Sequence, residues 1–164
     1  MVILKLFLNL RVFEFCRFRI VHHSSEEHDY PADELNTHSA QSKGWISAKF
    51  CSYPQELGFE MLLSSGASSS SGTNDIATIS KIEFLSHQSR IASKIEVFVG
   101  VGNDYSSAEF RRLGYLSLDK NEKSNYQARE LKSVYVENMP CQYVKFLVHK
   151  NFVNKLNHFN QVTK

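Results

Sequence analysis

The fold is decided by stretches such as SKIEVFV at residues 93–99, in which apolar and polar side chains alternate. In an extended backbone, Ile95, Val97 and Val99 would share one face, and the charged Lys94 and Glu96 would share the other. A period of two is typical of a β-strand with one buried face. The stretch therefore predicts an amphipathic strand that covers a core.

Segments with the same alternation recur along the rest of the chain. They lie at residues 57–63, 78–85, 115–118, 131–136 and 143–149. Turn-forming residues such as GND at 102–104 separate them, and no long segment has the 3.6-residue period of an amphipathic helix. Short strands separated by turn signals predict an all-β fold, an antiparallel β-sandwich of the jelly-roll kind.

Composition and charge are those of one globular domain. The chain has 164 residues, of which 42% are hydrophobic and 22% are charged. This length suits a single domain with a sizeable core. Residues 111–164 carry ten Lys and Arg but four Asp and Glu. A basic C-terminal third is suited to an acidic partner, such as tubulin or a phosphate backbone, although scattered surface lysines give the same count.

We divide the chain into an irregular apolar leader at 1–17 and a jelly-roll domain at 18–164. The leader shows no cleavage site of a signal peptide and is shorter than the ~20 residues of a membrane span. A first strand is the other interpretation of its apolar run. The serine-rich run at 64–74 predicts a flexible surface loop. Three widely spaced cysteines indicate free thiols in a reducing compartment.

No motif for catalysis or for a metal is present. His22, His23 and His28 lie at a strand end and in a polar loop, which is a poor scaffold for zinc. The acidic residues at 29–34 offer oxygen ligands for calcium, and a solvated loop is the preferred interpretation. The sequence contains no nucleophile elbow and no P-loop. We therefore expect no enzymatic activity, no metal and no cofactor, and the acidic first part argues against binding of nucleic acid.

Candidate contact residues for a partner occur in three places. Arg111 and Arg112 form an adjacent basic pair, and Trp45 lies at a predicted loop edge, although a lone Trp is as often core. The third place is the loop at 149–160, where asparagine recurs every third residue and forms a polar, partly basic rim; its named residues are His149, Asn151, Asn154, Lys155, Asn157 and Asn160. The alternative for this loop is that its amides bond to nearby backbone and pin the chain.

Longer blocks of sequence carry a resemblance to a known family. They include KGW at 43–45, SKIE at 93–96, FRRLGYLSL at 110–118, ARELKSVYV at 128–136 and HKNFVNK at 149–155. In order and spacing, from residue 18 to residue 162, they resemble the N-terminal jelly-roll domain of the centrosomal protein of 104 kDa family.

The resemblance implies a galactose-binding-like, or discoidin-like, jelly roll that is not an enzyme. It implies a module that binds ciliary and centrosomal proteins. Full-length members of the family associate with microtubules and take part in cilium assembly or structure. The localisation implied is the cytoplasm and cytoskeleton, at the centrosome, the centriole and the cilium. An alternative from the fold type alone is a module that binds carbohydrate or lipid headgroups.

The chain departs from the family pattern at its leader, at the serine-rich run and at its end. The family continues beyond the position of Lys164 into a final strand. A jelly roll that lacks this strand is therefore one form of the expected fold. Without the final strand, the backbone groups of its neighbour would be unpaired. The leader at 2–10 is a candidate to take the place of that strand.

Overall fold

A computed structural model describes residues 4–10, 12–37, 41–62 and 76–162, and these form an all-β structure. Its strands are β1 (Leu4–Leu10), β2 (Val12–His23), β3 (Gln55–Leu62), β4 (Ala77–Leu85), β5 (Lys94–Val101), β6 (Glu109–Ser117), β7 (Leu131–Cys141) and β8 (Tyr143–Val148). Two short 3-10 turns lie at Ala32–Asn36 and Glu122–Ser124. The strand pairs are antiparallel, which confirms the predicted fold class.

The strand order is β6-β5-β8-β3-β2-β1-β4-β7, and β2 joins two layers. The part of β2 up to Cys16 pairs with β1, whereas the part from Arg17 onward pairs with β3. One layer is therefore β6-β5-β8-β3-β2, and the other is β2-β1-β4-β7. A strand that serves both sheets is one way in which a sandwich turns a corner.

The core lies between the layers and is built by alternation. In β5, Ile95, Val97 and Val99 are buried, as the sequence predicted. The ring of Phe59 from β3 packs edge-on against that of Phe146 from β8, with 5.3 Å between ring centroids. Aromatic pairs at this distance add to the stabilisation that burial alone provides. The alternating strands therefore form the core that their pattern predicted.

The leader contradicts one expectation. Residues 1–17 were expected to be irregular, but Leu4–Leu10 forms β1 and pairs with both β2 and β4. The structure therefore agrees with the other interpretation of this run, a first strand. Between β2 and β4, its backbone N–H and C=O groups find the partners that they need. The division of the chain at residue 17 stays a prediction. The serine-rich run at 64–74 lies outside the described residues.

The cysteines are free thiols, as expected. Cys16 and Cys141 are buried, and Cys51 is half-buried. Burial raises the pKa of the Cys141 thiol to about 12. A buried thiol of this kind behaves as a small apolar side chain and is chemically inert.

Candidate interaction site

Trp45 belongs to the core and is not a contact residue. Its side chain is fully buried, and its indole N–H donates to the backbone oxygen of Ser25 at 2.9 Å. The expectation that Trp45 meets a partner is therefore wrong. The physical reason is that a large aromatic ring with one polar group finds both an apolar site and an acceptor inside the sandwich.

Three of the asparagines in the 149–160 loop bond to backbone groups through their side chains. Asn157 is buried, and its amide bonds to both backbone groups of Gln161, whose N–H donates to the amide oxygen at 3.1 Å. The amide of Asn154 donates to the Ser89 carbonyl at 2.6 Å. Asn151 is also buried and donates to the Phe152 carbonyl at 2.8 Å. The loop is therefore pinned by its own amides, and a polar asparagine rim is wrong for Asn151 and Asn157.

A second set of residues with the same spacing faces outward. Val153, Leu156 and Phe159 are 83%, 51% and 45% exposed. They also recur every third residue, because this part of the chain reads NFV, NKL and NHF. Sequence reasoning noticed the asparagines and missed these apolar residues. The same repeat, displaced by two positions, would have pointed to them.

Phe50 extends this exposed apolar surface from another loop. It is 73% exposed, and its ring lies edge-on to that of Phe159 with 5.8 Å between centroids. Its backbone N–H donates to the Phe159 carbonyl at 3.0 Å. Its φ of 55° lies in the left-handed region, which is rare for a bulky residue. We call Phe50, Val153, Leu156 and Phe159 the apolar ridge.

The base of the ridge is held by hydrogen bonds. The Gln161 amide donates to the Ser47 carbonyl at 3.0 Å and to a Glu27 carboxylate oxygen at 2.9 Å. The Val162 N–H donates to the Ser47 hydroxyl at 3.1 Å. The Tyr53 hydroxyl donates to the Asn160 carbonyl. Because these bonds fix the backbone beside Phe159, this part of the loop needs little further ordering on contact with a partner.

Basic side chains lie beside the ridge. The Lys49 ammonium sits 5.2 Å from the centroid of the Phe159 ring and 3.4 Å from a Glu27 carboxylate oxygen. Lys155, between Val153 and Leu156, is exposed. An apolar surface with basic neighbours is complementary to an apolar patch with an acidic rim.

His149 and Arg112 belong to an ionic network on the outer face of the sheet. Glu96 receives bonds from Lys94 at 2.9 Å, Arg112 at 2.7 Å and His149 at 2.7 Å. The hydrogen bonds from Lys94, Arg112 and His149 lower the pKa of Glu96 to about 2. Both candidates are therefore already engaged with a carboxylate.

Arg111 differs from its neighbour Arg112. It is exposed, and it forms no ion pair with any residue that the structure describes. It lines a cleft of about 330 Å³ between β6 and β7. Successive residues of a strand face opposite sides, so the two arginines reach different surroundings. The predicted basic pair is therefore not one surface.

The metal candidates make other contacts. The His23 ring lies 3.8 Å from Glu26, and the Glu34 carboxylate accepts from the Lys43 N–H at 2.9 Å. Within the described part of the chain, no group of three or more His, Cys, Asp or Glu side chains could hold a metal ion. In that same part, no helix has the length and apolar character that a membrane crossing requires.

Solved structures with this architecture define its class. The CBM32-3 domain of a family 31 glycoside hydrolase from Clostridium perfringens matches with a TM-score of 0.64 at 14% identity, over 89% of this chain and 86% of that one. The C-terminal domain of a chitobiase from Bacteroides fragilis has a TM-score of 0.58 at 14% identity, over 90% and 89%. CBM32-5 from C. perfringens, in complex with GalNAc-β-1,3-galactose, has a TM-score of 0.53 at 15% identity, over 89% and 91%. The fold is therefore a galactose-binding-like jelly roll, as the resemblance implied.

Sequence comparison identifies the family within this class. The profile described as Centrosomal protein CEP104, N-terminal domain, matches residues 44–164, and the chain belongs to this family. Human centrosomal protein of 104 kDa is 39% identical and the mouse protein 38% identical, each over 88% of this chain. The chain spans 15% of the length of these relatives. Family membership confirms the resemblance and supports the expected localisation at the centrosome, centriole and cilium.

Proposed function

We propose that this domain is a non-enzymatic protein-interaction module of a centrosomal, ciliary-tip and microtubule-associated protein that takes part in cilium assembly or structure. The observation that carries the proposal is the apolar ridge of Phe50, Val153, Leu156 and Phe159, whose large side chains stand in solvent. The contact between Phe50 and Phe159 makes part of this surface contiguous, and contiguous exposed apolar surface commonly marks a site of contact with another protein.

The build of the ridge favours a specific contact. The strained backbone at Phe50 and the bonded base below Phe159 hold two aromatic rings in place. Strained, exposed residues concentrate where binding needs a fixed geometry. Aromatic side chains on a rigid support are also the common energetic centres of protein interfaces. Phe50 and Phe159 are therefore the proposed anchors.

The charges near the ridge indicate the chemistry of the partner. Lys49 stands over the Phe159 ring, and Lys155 lies within the ridge loop. A ciliary or centrosomal protein with an apolar patch and an acidic rim would satisfy both features. The surface of tubulin is one acidic candidate that the basic C-terminal third of the chain would suit.

Affinity purification from extracts of ciliated cells tests the proposal. The wild-type chain is compared with Leu156→Ser/Phe159→Ser, and Leu131→Ser/Ile76→Ser is the matched control because those exposed apolar residues lie outside the ridge. We expect the ridge variant alone to lose a defined set of centrosomal and ciliary proteins. Recovery of the same set by both variants would contradict the assignment of the ridge. Purified tubulin in a pelleting assay separates direct from indirect association.

Binding of carbohydrate or lipid headgroups is the second candidate function. It is favoured by a pocket of about 240 Å³ beside the ridge, in which aromatic and charged side chains meet; its lining includes Glu27, Asp29, Tyr30, Lys49, Arg90 and Phe159. An aromatic ring beside a small number of hydrogen-bonding groups is typical of sites that bind small ligands. Saturable binding on a glycan array or to liposomes, lost in Tyr30→Ala, would support this function in place of protein binding.

A further inference from the structure

We propose that the cleft between β6 and β7 receives an extended segment of a partner protein, which carries an acidic residue opposite Arg111 and apolar residues on either side of it. This site is separate from the apolar ridge. Its residues come from two sheet edges, whereas the ridge comes from loops.

The strands that form the cleft each have an open edge. Among the described residues, β6 pairs with β5 alone and β7 pairs with β4 alone. An open edge presents unpaired backbone N–H and C=O groups in a row. Another extended backbone is the ligand that matches such a row, and addition of a strand is a recurring mode of peptide recognition.

The floor and the rim of the cleft supply apolar contacts. Half-buried side chains from the two strands line its volume of about 330 Å³: Leu113, Leu116, Val134, Val136 and Met139. The rim carries Tyr115 and Tyr135, and the Tyr135 side chain is 74% exposed. The volume is at the lower end of the range for ligand sites. It therefore suits a few apolar side chains of a peptide rather than a folded surface.

Charge specifies the occupant further. Arg111 lines the β6 side of the cleft, and Glu137 lines the β7 side. Because Arg111 has no ion-pair partner among the described residues, its guanidinium is available for a carboxylate, which it can bind through two parallel hydrogen bonds. The two walls thus carry opposite charges, which would fix the orientation of a bound strand. An acidic residue of the partner faces β6.

The test begins with selection of a random library of short linear peptides against the full chain. We expect enriched peptides to share an acidic residue flanked by alternating apolar residues. Binding of a synthetic copy should fall about tenfold in Arg111→Gln, as expected for loss of one charge-assisted pair. The matched control Arg112→Gln removes the same charge one residue away and should change binding less than about twofold.

Two further measurements separate strand addition from a simple charge contact. Methylation of alternate backbone nitrogens of the peptide should weaken binding more in one register than in the other, because the N–H groups of an added strand point alternately towards and away from the edge with which it pairs. Replacement of the acidic residue of the peptide by Lys should abolish binding to the wild-type chain and restore it with Arg111→Glu. Tyr135→Ala should also weaken binding, with the fold verified by an unchanged unfolding midpoint.

Three outcomes would overturn the proposal. The first is a library that enriches no peptide, or peptides whose binding survives both Arg111→Gln and Tyr135→Ala. The second is binding that tolerates methylation in both registers. The third is a concentration-dependent dimer that Arg111→Gln dissociates, since the occupant would then be a second copy of this chain.

Discussion

Strand β5 and the loop at 149–160 place their side chains by opposite rules. In β5 the apolar Ile95, Val97 and Val99 are buried, whereas Glu96 and Phe98 between them are half-buried. In the loop the amides of Asn151 and Asn157 are inside, whereas Val153 stands in solvent. Both segments are periodic, but in the loop the residues that recur at buried positions are polar.

The difference follows from what each backbone needs. The N–H and C=O groups of β5 are paired by its neighbours β6 and β8, so its side chains are sorted by the free energy of burial alone. The loop has no neighbouring strand along most of its length, and its backbone groups require side-chain partners. Asparagine carries both a donor and an acceptor and can serve them. A loop pinned in this way leaves its apolar residues outside.

The largest effect should come from a change in the strand. In Ile95→Ala, a fully buried side chain is shortened and a cavity is left in the core. We expect a loss of about 3 kcal/mol in the free energy of unfolding. Val153→Ala is the control in the loop, and it should change stability by less than about 0.5 kcal/mol. Urea unfolding measures both. Equal effects would show that the two segments are not sorted by opposite rules.

The second effect should come from a buried amide of the loop. Asn157→Ala leaves the N–H and C=O groups of Gln161 without their partner. We expect a loss of about 2 kcal/mol, because buried polar groups without hydrogen bonds are costly. Lys155→Ala, an exposed change in the same loop, is the matched control. A loss below about 0.5 kcal/mol for Asn157→Ala would mean that water replaces the amide at little cost.

The same contrast explains which features of the structure could be predicted from the sequence. Alternation located β3, β4, β5, β7 and β8, since a period of two translates directly into burial, but it did not locate β2, whose Cys16 and Phe18 are also buried. The loop pattern was also visible, but whether Asn151 and Asn157 faced inward depended on which backbone groups lay near them. Trp45 posed the same difficulty, because its partner Ser25 is 20 residues away in sequence. Alternation along a strand places Arg111 and Arg112 on opposite faces, but which of them meets a carboxylate depended on Glu96 of the neighbouring strand. Contacts of this kind arise from tertiary structure and leave no local signal.

A smaller effect on the free energy of unfolding should depend on pH. It involves His87, another loop residue with a polar side chain that is partly buried. The His87 Nδ1 accepts from the N–H groups of Ser89 at 3.1 Å and Arg90 at 3.2 Å, which requires a neutral ring. Burial, assisted by the charges of Arg90 and Arg129, lowers the pKa of His87 from 6.5 to about 4. As the pH falls below 6.5, the unfolded chain takes up a proton before the folded protein does. Stability from this group is therefore complete above pH 6.5 and is lost as the pH falls towards 4.

His87→Asn tests this dependence, since an amide oxygen can accept the same N–H groups without binding a proton. Unfolding midpoints of the wild-type chain and the variant are measured between pH 4 and pH 7. We expect the wild type to lose stability relative to the variant on acidification, with at most about one proton taken up on unfolding. Parallel curves would show that His87 is not held neutral by its loop.

The smallest effect on stability should come from the apolar ridge. Leu156→Ser replaces a side chain that is 51% exposed, so little burial is lost and the free energy of unfolding should stay within about 0.5 kcal/mol of the wild type. Apolar residues of β5 form part of the core. A small effect of Leu156→Ser would show that this apolar residue of the loop does not. Destabilisation beyond about 1 kcal/mol would mean that Leu156 packs against the loop, and the ridge would then be a satellite of the core. An unchanged stability combined with loss of ciliary partners would instead place the function of this loop in the residues that it leaves exposed.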